Sequence, residues 1–577
     1  MRSRGKTFLS IWGRIQGKPL LLALSSGILM GLTTAPVSAW PLAWVALAPL
    51  WFLVVSNHKT KINPKSKIQN LKFFLTTTPL KLALAWGIGY HGLALFWITG
   101  IHPMTWMGVP WLASLAIAFF CWSFITLWGA ALVTTWATFL FWIEDFGFWL
   151  NRKSPISGFT RVLIGTAMWC GLESFWSAGA LWWTSLSFTQ SPHNLAILHL
   201  GQISGPSAVT AALVAVNGLI AEGWIILIPN RNLSKVVASN ENTVAPLVGN
   251  GVLEAKQKHK DIKTPSNWKY FGIAAGLWLS LHLIGFGLYS RPLILPPDSA
   301  LKVGIIQGNI PNEIKLYPGG LRQAIEGYTS GYRKLADQGV EAVLTPEGAL
   351  PFSQTDLTLS SFFWAVREKG VVAWIGAFGD QGSSYTNSLF TLTGTGEIFS
   401  RYDKVKLVPI GEYVPFEQFL GGIVKRLSPL DEHQVAGLPN QQVDTPFGRA
   451  IVGICYDSAF SQHFRRQAAA GGQFILTASN NAHYSKTMPA QHHAQDIMRA
   501  IETDRWAVRA TNTGYSGIVD PHGRTLWISG IKTYEVHADT VYRRQSQTLY
   551  VRWGDWLTPG LLIAGAIAFF LNFFWRD

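Results

Sequence analysis

The sequence predicts a two-part chain: a polytopic α-helical membrane domain of about eight transmembrane helices, and an α/β or layered α+β block outside the bilayer. Three observations predict it. Charged residues occupy only 14% of the 577 positions, against roughly 25% in a soluble domain. Apolar runs recur through residues 1–290 and again at 557–574, and a spanning helix needs about 20 mostly apolar residues. Residues 291–556 hold no such run, and β-type stretches there alternate with helical ones.

The runs lie at about 19–36, 41–55, 80–99, 107–143, 160–182, 195–228, 268–290 and 557–574. The stretch 107–143 is long enough for two helices, and the positive-inside rule decides between one and two. Basic residues cluster before residue 19 (Arg2, Arg4, Lys6, Arg14, Lys18), in 57–81 (Lys59, Lys61, Lys65, Lys67, Lys72, Lys81), in 144–161 (Arg152, Lys153, Arg161) and in 229–269. Arg576 ends the chain, while the short loops near 37–39, 100–106 and 183–194 carry no Lys or Arg. One span in 107–143 puts every basic segment on the cytoplasmic side; two would scatter them.

The expected organisation is therefore a membrane domain at 1–290 with about seven helices, an outer block at 291–556, and a C-terminal transmembrane helix at 557–577. Both termini lie inside. The net charge of +15 follows from topology, which argues against a nucleic-acid binder. "APVSAW" could be a signal-peptidase site after Ala39, but Pro41 and the next apolar run favour a turn between spans. Residues 229–267 read as a disordered cytoplasmic loop.

In the outer block, "LKVGIIQGNI", "EAVLTPEGAL", "VVAWIGAF", "RAIVGICYDS" and "FILTASNN" read as strands, with helices at 321–338 and 489–505. "NSLFTLTGTGEIFSRYDKV" reads as two strands about a tight Gly394–Gly396 turn; no helix start follows its GTG, so it is no phosphate loop. Glu347, Lys404 and Cys455 each follow or end a β-type run. A thiol has a reference pKa near 8.5 and needs a base to act as a nucleophile, which a carboxylate can supply. A lysine can stabilise the thiolate or the oxyanion formed at a carbonyl. From spacing alone the trio is weak, because a cysteine at a strand end also serves as a small buried hydrophobe.

"TPEGALP", "YDKVKLVPIGEYVPF" and "GICYDSAF" resemble the three signature segments of the nitrilase superfamily. With apolar spans on both sides, the whole chain resembles the bacterial apolipoprotein N-acyltransferase family. The resemblance implies a four-layer αββα nitrilase-like sandwich on a transmembrane base. It implies Glu347 as general base, Lys404 as oxyanion stabiliser (with Lys406 the nearby competitor) and Cys455 as nucleophile. Glu412 matches a supporting glutamate, Tyr456 a residue beside the nucleophile, and Asn387 the Asn of a "YNS"-like segment. There are departures: Asp457 where the family often has Glu, Thr345 where it often has Trp, and "NAHYS" at 481–485.

The implied reaction is ping-pong. Cys455 takes an acyl chain from a phospholipid, then passes it to the α-amino group of an S-diacylglyceryl cysteine at the N-terminus of a lipoprotein. The implied setting is the bacterial cytoplasmic membrane with the catalytic block on the outer side, as a monomer without cofactor. "PFEQFLGGIVKRLSPL" (415–430) offers Phe416, Phe419, Leu420 and Ile423 at roughly helical spacing, as core or as a lipid-dipping lid. One alternative is a membrane-anchored amidase using water; another is a transporter, against which stands the lack of an internal repeat. His483, His492 and His493 invite a metal reading, but His492 and His493 are adjacent and would point apart on a helix, and no H-E-x-x-H motif is present.

Overall fold

The computed structural model describes residues 19–58, 78–149, 156–227, 268–382, 384–409, 411–413 and 434–574. The membrane half contains α1 (Pro19–Gly31), α2 (Ala48–His58), α3 (Thr78–Ala94), α4 (Trp111–Trp149), α5 (Gly158–Ala178), α6 (Pro206–Leu227) and α7 (Trp268–Tyr289). The stretch 107–143 contributes to one continuous helix, α4, rather than two. The run at 195–228 is not one helix, which corrects the sequence expectation. Two single turns, Leu195–Leu198 and Gly201–Ser204, precede α6. Gly205 breaks the chain direction at φ +71°, and Pro206 then opens α6 where its missing N–H costs nothing.

Among the described residues, three helices, α4 over Trp111–Ile143, α6 and α7, are long and apolar enough to cross a bilayer. Helices α1, α2 and α3 have 13, 11 and 17 residues, shorter than the runs that predicted them, because turns at 32–47 and 95–110 consume the remainder. Leu112, Phe119 and Phe120 on α4 and Leu283 and Phe286 on α7 are exposed, whereas most of α6 is buried. Small residues let the helices cross closely. A Cβ on Gly27 would lie 2.1 Å from the Trp86 carbonyl oxygen, and one on Gly89 would lie 2.6 Å from that of Leu24.

Trp51, Trp86, Trp136 and Trp169 are fully buried, and each indole N–H has an acceptor: Glu222, the Ala46 and Gly165 carbonyls, and Glu173. Among the described residues of this half, two buried glutamates, Glu173 and Glu222, tether segments to one another. Glu222 pairs with Arg161 at 2.7 Å. Glu173 accepts from Trp169, Ser185, Thr210 and the Leu186 N–H.

The α/β block runs β1 (Ala300–Gln307), α8 (Pro318–Asp337), β2 (Ala342–Leu344), α9 (Ser361–Lys369), β3 (Val372–Gln381), β4 (Ser384–Leu392), β5 (Ile398–Asp403), β6 (Val443–Thr445), β7 (Gly448–Ile454), α10 (Ser461–Ala469), β8 (Phe474–Ser479), α11 (Thr487–Thr503), β9 (Ala507–Thr511), β10 (Gly517–Val519), β11 (Thr525–Ile528) and β12 (Glu535–Tyr542). Helix α12 (Leu557–Phe574) follows. The strands form two six-stranded sheets, ordered β12-β1-β2-β3-β4-β5 and β11-β10-β9-β8-β7-β6.

Period-two patterning builds the layers. Leu301, Val303 and Ile305 on β1 meet Phe474, Leu476 and Ala478 on β8 between the sheets. Ile306 faces the other way with Tyr328, Tyr332 and Leu335 of α8, and Ile475 packs with Phe464 of α10 and Ile497 of α11. The result is a four-layer αββα sandwich. The β4–β5 hairpin turns at Gly396, whose φ is +88°. Strands β1–β2–β3 and β7–β8–β9 are parallel, so the ends of β2, β7 and β8 open on one side. Ligand crevices form at such ends in α/β sheets.

Candidate active site

Four segments leaving strand ends converge here. Glu347 stands three residues after β2, Lys404 directly after β5, Cys455 directly after β7, and Asn480 directly after β8. The turn after β2 packs tightly on β3: a Cβ on Gly376 would lie 2.0 Å from the Pro346 carbonyl oxygen. Thr345 binds β3 with its hydroxyl, which accepts from Gly376 N–H at 3.1 Å and donates to the Trp374 carbonyl at 3.3 Å. That accounts for one departure: a hydroxyl here ties the turn after β2 to β3.

Lys404 Nζ donates to Glu347 Oε1 at 2.8 Å and to Glu412 Oε1 at 2.7 Å. Asn387 Nδ2 donates to Glu347 Oε1 at 2.7 Å and lies 3.5 Å from Glu412 Oε1. The Asn387 carbonyl in turn accepts the Lys404 N–H at 2.8 Å, fixing where the lysine starts. Asn480 N–H donates to Glu347 Oε2 at 2.7 Å. Glu347 Oε1 thus has two partners, while Oε2 has one and keeps lone-pair capacity. Lys404 has three N–H groups and gives two to carboxylates, so one remains.

Burial alone would raise the Glu347 pKa, but the Lys404 charge outweighs it and holds the carboxyl below its usual range. Glu412 goes the other way: burial, with the Glu347 charge, holds it up despite Lys404. Burial opposes the charge on Lys404 as well, and the two carboxylates reverse this and keep it an ammonium. The Cys455 thiol is pushed well up by burial and then by the Glu347 charge. It therefore rests protonated and needs a base.

Cys455 is buried and takes φ +50°, a left-handed conformation that costs a non-glycine residue about 1–3 kcal/mol. Two contacts hold it there. His492 Nε2 donates to the Cys455 carbonyl at 2.7 Å, and its Nδ1 lies 3.3 Å from Asn481 Nδ2. This pairing needs the neutral ring, and burial holds its pKa down to about 3. Asp457 is fully buried and accepts from Ile454 N–H at 2.9 Å, Lys406 N–H at 2.8 Å and Tyr402 Oη at 2.8 Å. The shorter acid clamps the nucleophile turn to the lysine segment and does not face the thiol.

Lys406 is excluded from the lysine role, since its Nζ sits 4.4 Å from the centre of the Phe460 ring. Tyr456 points away from the carboxylates. Its hydroxyl lies 2.7 Å from the Ala180 carbonyl and accepts from the Trp182 N–H at 2.9 Å, so it docks the turn on the membrane half. His493 pairs with Thr525 at 2.9 Å on the far side of α11 from His492. Phe416, Phe419, Leu420 and Ile423 lie outside the described residues, as does the loop at 229–267. Sequence reasoning missed His492 and Tyr402 as supports. Their signal is the turn itself, whose buried carbonyl and buried carboxylate need partners.

Residues 26–219 match the apolipoprotein N-acyltransferase N-terminal domain family, and residues 302–542 match the carbon-nitrogen hydrolase family. A Nostoc protein named apolipoprotein N-acyltransferase is 61% identical over 95% of this chain and 98% of its own length. A Synechocystis protein of the same name is 47% identical over 93% and 98%. One from Pseudomonas putida, also so named, is 27% identical over 95% and 97%. With near-full-length identity at this level, the chain belongs to the apolipoprotein N-acyltransferase family.

Proposed function

We propose that this enzyme moves an acyl chain from a membrane phospholipid, through a thioester on Cys455, to the α-amino group of the N-terminal S-diacylglyceryl cysteine of apolipoproteins. The observation that carries the reading is the 2.8 Å Lys404–Glu347 pair beside a buried thiol whose turn is anchored on the 180–182 loop of the membrane half. The relatives carry the acyltransferase name rather than that of an amidase, and this favours a lipid amine over water as acceptor.

In the first half-reaction Glu347 takes the thiol proton on Oε2, and Cys455 Sγ attacks the ester carbonyl. The remaining Lys404 N–H meets the oxyanion, already charged and needing no reorganisation. Collapse expels the glycerol alkoxide, which takes the proton from Glu347 and leaves as lysophospholipid. In the second half the amine attacks the thioester, Glu347 accepts its proton, and collapse returns that proton to the sulfur. Asn387 and Glu412 keep Glu347 and Lys404 in register. The base spacing of the basic segments supports about eight spans and an outward-facing catalytic block in the bacterial cytoplasmic membrane. The enzyme works as a monomer without metal or cofactor.

The test incubates purified protein with phospholipid vesicles and a synthetic diacylated lipopeptide. Mass measurement is expected to find a thioester on Cys455 and a triacylated product. Acyl transfer persisting in Cys455→Ala sinks the nucleophile assignment. Hydrolysis without transfer turns the reading to an amidase. Labelling of an engineered cysteine in 291–556 from the cytoplasmic side only would overturn the orientation.

A further inference from the structure

Lys315 ends a helical turn, Asn312–Lys315, between β1 and α8. Gly320 lets α8 close on this turn, since a Cβ there would lie 1.9 Å from the Ile314 carbonyl oxygen. The side chain is 9% exposed. Among the described residues it makes no ion pair, and its one hydrogen bond runs from Nζ to the Glu347 main-chain carbonyl at 3.2 Å. The tip lies against the next residue too: a Cβ on Gly348, whose φ is +52°, would be 3.4 Å from Nζ. The same turn reaches Glu347 by a second route. Asn312 Oδ1 accepts from Asn480 Nδ2 at 3.1 Å, and the Asn480 N–H holds Glu347 Oε2.

A buried ammonium without a carboxylate partner is unfavourable unless nearby charge compensates it. Here the site supplies that charge. With both carboxyls ionised, Glu347 and Glu412 set two negative charges against one positive on Lys404, an excess of one beside a thiol that must ionise. Lys315 cancels it.

We propose that Lys315 is a positioning residue for the reaction: its ammonium fixes the peptide that carries Glu347 and supplies the second positive charge of the base–nucleophile pair. The inference rests on the roles given above to Glu347 and Cys455. Burial holds the Lys315 pKa down to about 8, opposed by the charges of Glu347 and Cys455, so at neutral pH it remains mostly charged. The titratable and charged groups around this pair are Lys404 and Glu412 from the lysine segment, Glu313 on the same turn, His483 and Tyr484 on the loop after β8, His492 on α11 and Arg509 on β9.

The test is the pH dependence of single-turnover thioester formation on phospholipid vesicles, in wild type, Lys315→Met and Lys315→Arg. Glu347 must be ionised to act, so the rate falls as pH drops through its pKa. Removing a neighbouring positive charge raises that pKa, and the acidic limb moves to higher pH. A shift of about one pH unit is expected. Lys315→Arg keeps the charge and returns the limb to within a few tenths of a unit of wild type. An unmoved limb in Lys315→Met, or an equal shift in Lys315→Arg, overturns the proposal. Should the methionine variant not fold, Lys315→Gln replaces it with the same two outcomes. Wild type forming no thioester at all refutes the proposed function instead, which separates the two failures.

Discussion

Asp457→Asn changes one atom of a fully buried side chain, and its cost can be worked from three hydrogen bonds. The carboxylate accepts from Ile454 N–H and Tyr402 Oη on Oδ2 and from Lys406 N–H on Oδ1. An amide retains a single acceptor oxygen, so either Lys406 or Ile454 faces an NH₂ group. Tyr402 can turn to His463 Nε2, 2.7 Å away. Losing one bond to a charged acceptor costs about 1.5–3 kcal/mol, and the stranded buried donor adds about 1–3 kcal/mol. A net loss of about 3–5 kcal/mol follows, or a fall of about 10 °C in the apparent unfolding midpoint of the α/β block, at roughly 2–4 °C per kcal/mol.

Because Asp457 ties the strand end before Cys455 to the segment after Lys404, the thiol and the ammonium lose alignment too. A misplacement of about 1 Å lowers a rate about 10²-fold. Circular dichroism melting in detergent and intact-mass timing of thioester formation measure the two effects. A midpoint within about 2 °C of wild type, with thioester formation within about twofold, refutes the clamp. Asp457→Glu, the longer acid, forces an extra methylene into the packed turn and is expected to cost about 1–3 kcal/mol.

Glu347→Gln removes the proposed base and is expected to slow thioester formation about 10²–10⁴-fold, with the melting profile kept as the control for folding. Asn387→Ala strips a hydrogen bond from the ionised form of Glu347, which raises its pKa; the acidic limb of thioester formation should move up by about 1–2 pH units, and a limb that moves down or stays contradicts the arrangement. Lys404→Met should abolish measurable thioester formation, whereas Lys406→Met loses only a cation–π contact of about 1 kcal/mol and should leave the rate within a few-fold. Equal losses in the two variants would show that the lysine roles are shared. Gln491→Leu strands the indole N–H groups of Trp97 and Trp183 and should lower the melting midpoint without moving the pH limb.

The strands were legible as apolar runs bounded by turn residues, and the β4–β5 hairpin by its glycines, of which Gly396 takes φ +88°; the four-layer sandwich itself came from the resemblance. The long run at 107–143 was legible as one helix from the placement of lysines and arginines around it, a property set by the membrane rather than by packing. The ends of the apolar runs were not legible. Hydropathy does not distinguish a helix from the turns at 32–47 and 195–205, since Trp40, Leu195 and Ile197 are as apolar as the helices beside them. At the site, Glu347, Lys404 and Cys455 came from motif order, and Asn387 and Glu412 with them. The meaning of Asp457, Tyr456 and His492 came only from three dimensions. Each acts through a partner 35 or more positions away, such as Lys406 for Asp457, Trp182 for Tyr456 and Cys455 for His492, and spacing along the chain holds no trace of such pairs.

Those distant pairs have a common direction. Tyr456, next to the nucleophile, is hydrogen-bonded to the 180–182 backbone, and its ring stacks on Trp183 at 6.1 Å. Trp183 also packs edge-on to His492, which holds the Cys455 carbonyl. Gln491, the preceding residue on α11, takes the Trp97 and Trp183 indole N–H groups and donates to the Ala94 carbonyl at the end of α3. The loop that carries Trp182 and Trp183 is itself fixed by Glu173 of α5 through Leu186 N–H and Ser185. Apolar contact alone lets two bodies slide, because dispersion and burial are non-directional; hydrogen bonds at 2.7–3.0 Å do not. A chain of directional contacts therefore runs from a carboxylate inside the membrane half to the main chain of Cys455. This chain of contacts holds the nucleophile turn at a fixed place on the membrane half, which is what the proposed transfer between two lipid-anchored substrates requires.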